Sequence, residues 1–239
     1  MFYNIDHLAD KLGPGVRLTG FPDAGFFLDE VNVADNQHTY RNIFIGADPV
    51  WNVTGSGGTN LACLQFYKGT GDRYVVVLLF ALNCLPSTVC PQTDTEGTGD
   101  SWKCLMAQYL VPHIRTPLFV MNSAYDAYQL PNIAGISCQA STASHPCNDS
   151  EAQAYGAKFK AAVQVVVDAS PRNGVFVDSC FVHEQNVNYC SGQGMPNCVG
   201  WTPSESGSVK WNYTTAVGGF TPQQAFSAFY SGERVVHLV

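Results

Sequence analysis

The apolar positions of the chain alternate between helical spacing and short continuous runs. Ile5, Leu8, Ala9 and Leu12 recur at the spacing of one face of a helix. The same periodicity returns twice further along, so the pattern predicts helices over residues 2–12, 105–114 and 151–168. Short apolar runs such as PLFVMN predict strands at residues 16–19, 117–122 and 175–178.

The predicted strands lack the polar and apolar alternation of a strand with one face in water. Continuous runs such as VFVD are typical of strands covered on both faces, and strands that alternate with helices form parallel sheets. We therefore predict one α/β domain over residues 1–239, with a mostly parallel sheet and flanking helices. Because the chain begins inside a helix-to-strand unit, we expect this domain to be N-terminally truncated.

One segment does not fit this organisation. The tetrapeptide GTGD occurs at residues 69–72 and again at 97–100, and the residues between them are apolar and include Cys84 and Cys90. Ordinary surface loops are short and polar. Residues 73–96 are therefore either an insertion or retained intron, or a genuine buried strand, and the sequence leaves both interpretations open.

Composition narrows the classes of function. Charged residues make up 13% of the chain, with 12 basic against 19 acidic side chains, so no basic face is available for a phosphate backbone. The most apolar run, residues 74–85, is shorter than the roughly 20 residues that cross a bilayer as a helix. We expect neither a nucleic-acid partner nor a membrane span.

Cysteines and glycosylation signals indicate an oxidising compartment. The nine cysteines lack the paired CxxC spacing of a zinc site, and their density favours disulfides of undetermined connectivity. N-glycosylation sequons begin at Asn52, Asn148 and Asn212. Residues 1–15 carry no signal-peptide pattern. The other features still predict a glycoprotein that is secreted to the extracellular space or the cell wall.

Asp126 and His183 are the candidates for chemistry. Asp126 follows the predicted strand at 117–122, and His183 follows the one at 175–178. Open α/β sheets build their sites past the carboxyl ends of parallel strands, and acid before histidine is the chain order of α/β-hydrolases. No GxSxG nucleophile motif is present, because residues 54–58, TGSGG, lack the first glycine. Position alone leaves open a turn aspartate and a structural histidine.

Three segments carry a resemblance to a known family. Residues 116–130, TPLFVMNSAYDAYQL, resemble the TPLFxxNxAYDxWQ segment of plant pectin acetylesterases, with Tyr128 in place of the usual tryptophan. Residues 178–183, DSCFVH, resemble their DSCxxH segment. Residues 23–29, DAGFFLD, resemble their DAGFFLD and the DSGWFLD of Notum. In this order along the chain, the three matches resemble the pectin acetylesterase and Notum family.

The resemblance implies a catalytic triad of which this chain carries two members. The family's aspartate and histidine correspond to Asp126 and His183. Its serine belongs to a GxSAGG elbow just before a helix that resembles residues 2–12, which would place it upstream of Met1. The resemblance thus implies an incomplete α/β-hydrolase-like domain.

The implied activity is carboxylic ester hydrolysis through an acyl-enzyme. The implied substrate is an O-acetyl ester on pectin or another cell-wall polysaccharide. Removal of a fatty acyl group from a protein, as by Notum, is one alternative. Because the nucleophile is missing, an inactive pseudoenzyme or a glycan-binding fragment is another.

Residues for substrate binding are predicted less directly. Asp23, Gly25 and Phe26 of the DAGFFLD segment are the candidates. We expect Asp23 to orient a loop near the substrate, and Phe26, Phe27 and Leu28 to line its pocket, with core packing as the alternative for the aromatic residues. We expect no metal and no cofactor, and a monomer. The histidines considered as metal ligands show no ligand spacing: His7, His38, His113, His145 and His237.

Overall fold

The computed structural model describes residues 2–51, 59–67, 100–136, 149–179, 183 and 217–239. Its α-helices are α1 (Ile5–Leu12), α2 (Thr39–Trp51), α3 (Leu61–Tyr67), α4 (Ala107–Leu110), α5 (Gln129–Asn132), α6 (Asp149–Ala169) and α7 (Pro222–Tyr230). Its 3-10 helices are Phe2–Asn4, Asp100–Leu105 and Val111–His113. Residues 54–58, residues 73–96 and the asparagines of the three sequons lie outside the described residues.

A parallel sheet forms the centre of the described residues. Its strands, in the order β1-β2-β3, are β1 (Phe119–Ser123), β2 (Gly174–Asp178) and β3 (Val236–Leu238). Both pairings are parallel, and every residue of β1 and β2 is buried. The prediction of an α/β fold with a mostly parallel sheet is confirmed.

Helices cover both faces of this sheet. Successive side chains of a strand point to opposite faces, and here they enter two cores. The larger core joins the sheet to α6 through Val120, Val175, Val177, Phe159, Val163 and Val166. The smaller core joins the other face to α7 through Phe119, Met121, Phe176, Ala225 and Phe229. Each helix lies between two consecutive strands, as a parallel crossover requires.

An extended segment runs beside β1 without forming a continuous strand. Gly20 and Asp23 make isolated parallel bridges with Leu118 and Met121. Pro22 has no N–H, so it joins the ladder only through its carbonyl, which accepts from the Met121 N–H at 3.0 Å. The predicted strand at 16–19 is wrong, because the pairing with β1 starts at Gly20 and not at the apolar residues before it.

The predicted helix at 105–114 is also wrong as one continuous element. The structure has the short helix α4 there, flanked by the 3-10 helices Asp100–Leu105 and Val111–His113. Pro112 lacks the N–H that a continuing α-helix would bond to the Gln108 carbonyl, so the chain tightens into a 3-10 turn. The other two predicted helices are confirmed by α6 and by α1 with the 3-10 turn before it.

A disulfide and a buried carboxylate link described segments that are far apart in the chain. Cys63 of α3 and Cys104 form a buried disulfide, which confirms that the chain uses its cysteines in this way. The buried Asp6 carboxylate of α1 accepts the backbone N–H groups of Arg115 and Thr116, each at 2.9 Å. No helix in the described ranges is both long and apolar enough to cross a membrane.

Candidate active site

Asp126 and His183 lie against each other at the carboxyl edge of the sheet. Asp126 follows β1 after a two-residue turn, and His183 follows the neighbouring strand β2. Nδ1 of His183 is 3.0 Å from both carboxylate oxygens of Asp126. Parallel pairing of β1 and β2 brings their carboxyl ends together, which is why two residues separated by 57 positions meet here.

The Asp126 carboxylate is fully buried and held by backbone donors. Its Oδ1 accepts the N–H groups of Tyr128 at 2.8 Å and Gln129 at 2.9 Å, at the start of α5. Its Oδ2 lies 3.5 Å from the amide nitrogen of Asn122 on β1. A buried carboxylate requires such donors, since desolvating an unpaired charge is costly. These bonds also fix the direction from which Asp126 meets His183.

The histidine is thereby restricted to one tautomer. A carboxylate only accepts hydrogen bonds, so Nδ1 of His183 is the protonated nitrogen of the neutral ring. Nε2 is then the nitrogen that can take up or release a proton. The His183 side chain is 33% exposed, so a reactant can reach it, whereas Asp126 is closed to solvent. This is the arrangement of an acid that orients a general base.

Aromatic rings surround the exposed histidine. The ring of Tyr128 is centred 5.2 Å from that of His183, and the ring of Phe27 is centred 5.9 Å from it. Tyr40 of α2 packs on Phe27 with centroids 5.1 Å apart. Burial, together with the charges of Tyr128 and Asp126, raises the pKa of Tyr40 to about 12, so its hydroxyl remains neutral in the physiological range.

The DAGFFLD segment places its residues on alternating sides. Phe26 is fully buried and packs on Phe159 of α6, with ring centroids 6.0 Å apart. Phe27, the next residue, is the one that contacts His183. Gly25 packs closely, since a Cβ there would lie 3.3 Å from the ring of Phe2. Asp23 bridges to Met121 of β1. The structure therefore brings Phe27 to the histidine, with Phe26 in the core beneath it.

A buried amide links this segment to the Asp126 loop. The Gln129 side chain is fully buried, and its Nε2 donates to the Phe26 carbonyl at 3.0 Å. Its Oε1 accepts the Leu28 N–H and the Tyr155 hydroxyl, each at 3.0 Å. On the other side, Asn122 Oδ1 accepts the Phe26 N–H at 3.1 Å. Two amide side chains thus satisfy the backbone around Phe27.

A second buried carboxylate ends the segment. Asp29 has a side chain that is 1% exposed, and Arg41 of α2 binds both of its oxygens at 2.6 to 2.9 Å. The Tyr109 hydroxyl and His38 Nδ1 also contact it, at 2.6 Å and 2.9 Å. Burial alone raises the pKa of Asp29, but the bonds from Arg41 and Tyr109 and the charges of Arg41 and His38 outweigh it and lower that pKa.

The sequence missed several of the residues that shape this site. Tyr40, Asn122, Gln129 and Tyr155 were not predicted to take part, and only tertiary contacts reveal them. Phe27 was predicted, with Phe26 and Leu28, to line the substrate pocket. Phe27 contacts His183, whereas Phe26 and Leu28 are buried in the core. Among the described residues no cluster of His, Cys, Asp or Glu is arranged to hold a metal ion. His145 lies outside them.

Two plant proteins are similar in sequence to part of this chain. Pectin acetylesterase 7 of Arabidopsis thaliana is 32% identical over 101 residues, which cover 38% of this chain and 26% of the relative. Pectin acetylesterase 11 of the same plant is 32% identical over 102 residues, with the same coverage. The aligned part of the chain thus spans about a quarter of the length of these relatives.

The family assignment rests on a longer match. A model of the family described as Pectinacetylesterase matches residues 1–205 of the 239-residue chain. The matched range contains the extended segment, the loop with Asp126 and the position of His183. The chain belongs to the pectinacetylesterase family.

Proposed function

We propose that Asp126 and His183 are the acid and the general base of a serine ester hydrolase that removes O-acetyl groups from pectin or another cell-wall polysaccharide. The observation that carries this proposal is the position of His183 Nδ1, 3.0 Å from both oxygens of a buried carboxylate at the carboxyl edge of the sheet. Family membership supports the ester chemistry, and the names of the relatives support the substrate.

The proposed reaction uses His183 twice. Nε2 takes the proton of the serine hydroxyl as the oxygen attacks the acetyl carbonyl, and Asp126 stabilises the imidazolium that forms. The imidazolium then gives its proton to the sugar oxygen as the bond between this oxygen and the acetyl carbon breaks. The sugar departs with a free hydroxyl, and the acetyl group remains on the serine. Water, activated by the same Nε2, attacks this ester and releases acetate. The sequence has no GxSxG motif, so we propose that the nucleophile is not among residues 1–239.

The surroundings of the histidine are suited to a sugar ester. Tyr128 is 41% exposed beside His183, and Phe27 completes an aromatic surface there. Aromatic rings offer large apolar faces with low conformational entropy, on which a sugar ring or its acetyl group can pack. We retain Asp23, Gly25 and Phe26 as proposed contributors, as the segment that carries Phe27. A secreted location in the cell wall is part of the same proposal.

Acetate release from acetylated pectin tests this function directly. Two polypeptides are compared: this chain, and one extended upstream through an in-frame GxSAGG motif where the gene encodes it. The extended form is expected to release acetate and this chain alone is not, because the histidine needs a nucleophile to activate. In the extended form, His183→Gln should lower kcat/KM by about four orders of magnitude.

His113→Gln is the matched control. His113 is likewise half-buried between aromatic rings, those of Phe66 and Tyr67, but it precedes β1, whereas His183 follows β2. It should retain nearly all activity. If the extended form releases neither acetate nor a generic acyl group, the ester-hydrolase proposal fails and a non-catalytic, glycan-binding protein takes its place.

A further inference from the structure

One buried side chain makes hydrogen bonds on both sides of Phe27. Gln129 donates from Nε2 to the carbonyl of Phe26, at 3.0 Å, and accepts at Oε1 from the N–H of Leu28, also at 3.0 Å. These are the backbone groups that flank Phe27 directly, and they lie more than 100 positions away from Gln129 in the chain. Gln129 therefore fixes the backbone on both sides of Phe27, and with it the direction in which the Phe27 side chain projects.

The same residue is bound to the carboxylate that faces the histidine. The backbone N–H of Gln129 donates to Oδ1 of Asp126 at 2.9 Å, and this oxygen is 3.0 Å from Nδ1 of His183. His183 is thus held on one side by Asp126 and contacted on another by the ring of Phe27. Gln129 is hydrogen-bonded both to Asp126 and to the backbone that carries Phe27.

The burial of Gln129 makes these bonds specific. The residue is fully buried, and Tyr155 of α6 supplies a further donor to Oε1 at 3.0 Å. A buried amide whose oxygen and nitrogen are both hydrogen-bonded has one orientation. If the amide were flipped, its NH2 group would face the donors of Leu28 and Tyr155, and its oxygen would face the Phe26 carbonyl. A longer or mobile link would leave the ring of Phe27 free to move relative to Asp126.

We propose that Gln129 is a positioning residue that couples Phe27 to Asp126 and thereby holds the imidazole of His183 in its Nδ1–H tautomer. It does not touch a substrate itself. This inference rests on the proposed pairing of Asp126 with His183, and it assigns to an otherwise structural glutamine a role in setting the proton position of the general base.

Imidazole nitrogen NMR on the ¹⁵N-histidine-labelled chain tests the proposal. In the wild type, the His183 signals should show the Nδ1–H tautomer. Gln129→Met keeps the length of the side chain and removes its hydrogen bonds without adding a charge. The variant keeps the backbone bond to Asp126 but no longer fixes Phe27 against the imidazole, so His183 is free to turn away from Asp126. The signals should therefore move to an average of both tautomers, with loss of the slowly exchanging Nδ1–H proton.

Asn173→Leu provides a matched control at the opposite end of the sheet. Asn173 is the comparable buried amide there: its Oδ1 accepts the Leu118 N–H at 3.0 Å and its Nδ2 donates to the Val166 carbonyl at 2.9 Å. The variant should lose thermal stability as Gln129→Met does, but keep the wild-type His183 spectrum. A structural role alone would affect both variants alike.

Two results overturn the proposal: a wild-type His183 spectrum in Gln129→Met, or an equal change of that spectrum in both variants. If Gln129→Met does not fold, Gln129→Asn replaces it, because its amide is one methylene too short to reach Phe26 and Leu28. Since the tautomer is measured without ester hydrolysis, an inactive enzyme contradicts the proposed function and leaves this inference standing, whereas an unchanged tautomer in Gln129→Met contradicts this inference alone.

Discussion

Two buried aspartates in this protein each face a histidine, and their surroundings differ. Asp126 lies 3.0 Å from Nδ1 of His183, and Asp29 lies 2.9 Å from Nδ1 of His38. Their side chains are equally closed to solvent, at 0% and 1% exposed, and both histidines are about one third exposed. By distance and burial alone the two pairs are equivalent.

The remaining partners separate them. Asp29 is bound through both oxygens by the guanidinium of Arg41, and Tyr109 adds a short hydroxyl bond. In the part of the chain that the structure describes, Asp126 has no bond to an arginine or lysine, and its donors besides His183 are backbone N–H groups and an amide. Neutral donors stabilise a carboxylate without cancelling its charge.

The charge that remains on each carboxylate decides what its pair with histidine can do. The Arg41 cation neutralises the charge of Asp29, so that carboxylate exerts little net electrostatic attraction on His38. The charge of Asp126 acts on His183, where it can stabilise an imidazolium during proton transfer. We infer that the first pair anchors helix α2 and that the second supports catalysis.

The largest expected effect is on turnover. In a polypeptide that carries the nucleophile, Asp126→Asn should lower kcat/KM for acetate release by about 10⁴-fold, because an amide donates to Nδ1 and forces the other tautomer. Asp29→Asn, the same change at the second pair, should lower it by less than about tenfold. Equal losses in the two variants would remove the distinction between the pairs.

The second-largest effect is on stability, and here we expect Asp29→Asn to cost more than Asp126→Asn. Asp29→Asn should lower the free energy of unfolding by about 3 kcal/mol at neutral pH, because it breaks a buried ion pair and leaves Arg41 uncompensated. Since the pKa of Asp29 is lowered on folding, its contribution is present above the ordinary carboxyl pKa of about 4 and is lost as the pH falls through the folded value.

Urea unfolding of the wild type and of Asp29→Asn, from pH 7 down to pH 3, measures this contribution. The difference between the two proteins should be constant near neutral pH and should shrink once the pH falls below about 4. A difference that stays constant through the acidic range, or grows, would show that Asp29 is not ionised and bound by Arg41 as described.

The smallest effect concerns His38. Because Asp29 is already neutralised by Arg41, His38→Gln should change the free energy of unfolding by no more than about 0.5 kcal/mol. The same urea measurement at pH 7 gives this value, with Arg41→Gln as the reference for loss of the main partner. A cost for His38→Gln as large as that for Arg41→Gln would mean that His38 and Arg41 hold Asp29 equally.

The elements that depend on local pattern were largely predictable. The strands at 117–122 and 175–178 were recognised because a strand buried on both faces must be apolar throughout, and β1 and β2 are. The predictions failed where a long-range contact or a proline decided the outcome. Pairing with β1 made Gly20 to Asp23 extended in place of residues 16–19, and Pro112 divided the helix predicted at 105–114.

The α/β class, the family motifs and the positions of Asp126 and His183 after predicted strands could all be read from the amino-acid sequence. These features follow from local periodicity and short motifs, and they do not depend on contacts between residues that are distant in the chain. The side of the DAGFFLD segment that meets the histidine depends on tertiary contacts, as does the way in which Gln129 and Asn122 hold the segment there. Those bonds join groups about 100 positions apart, and no local pattern encodes them.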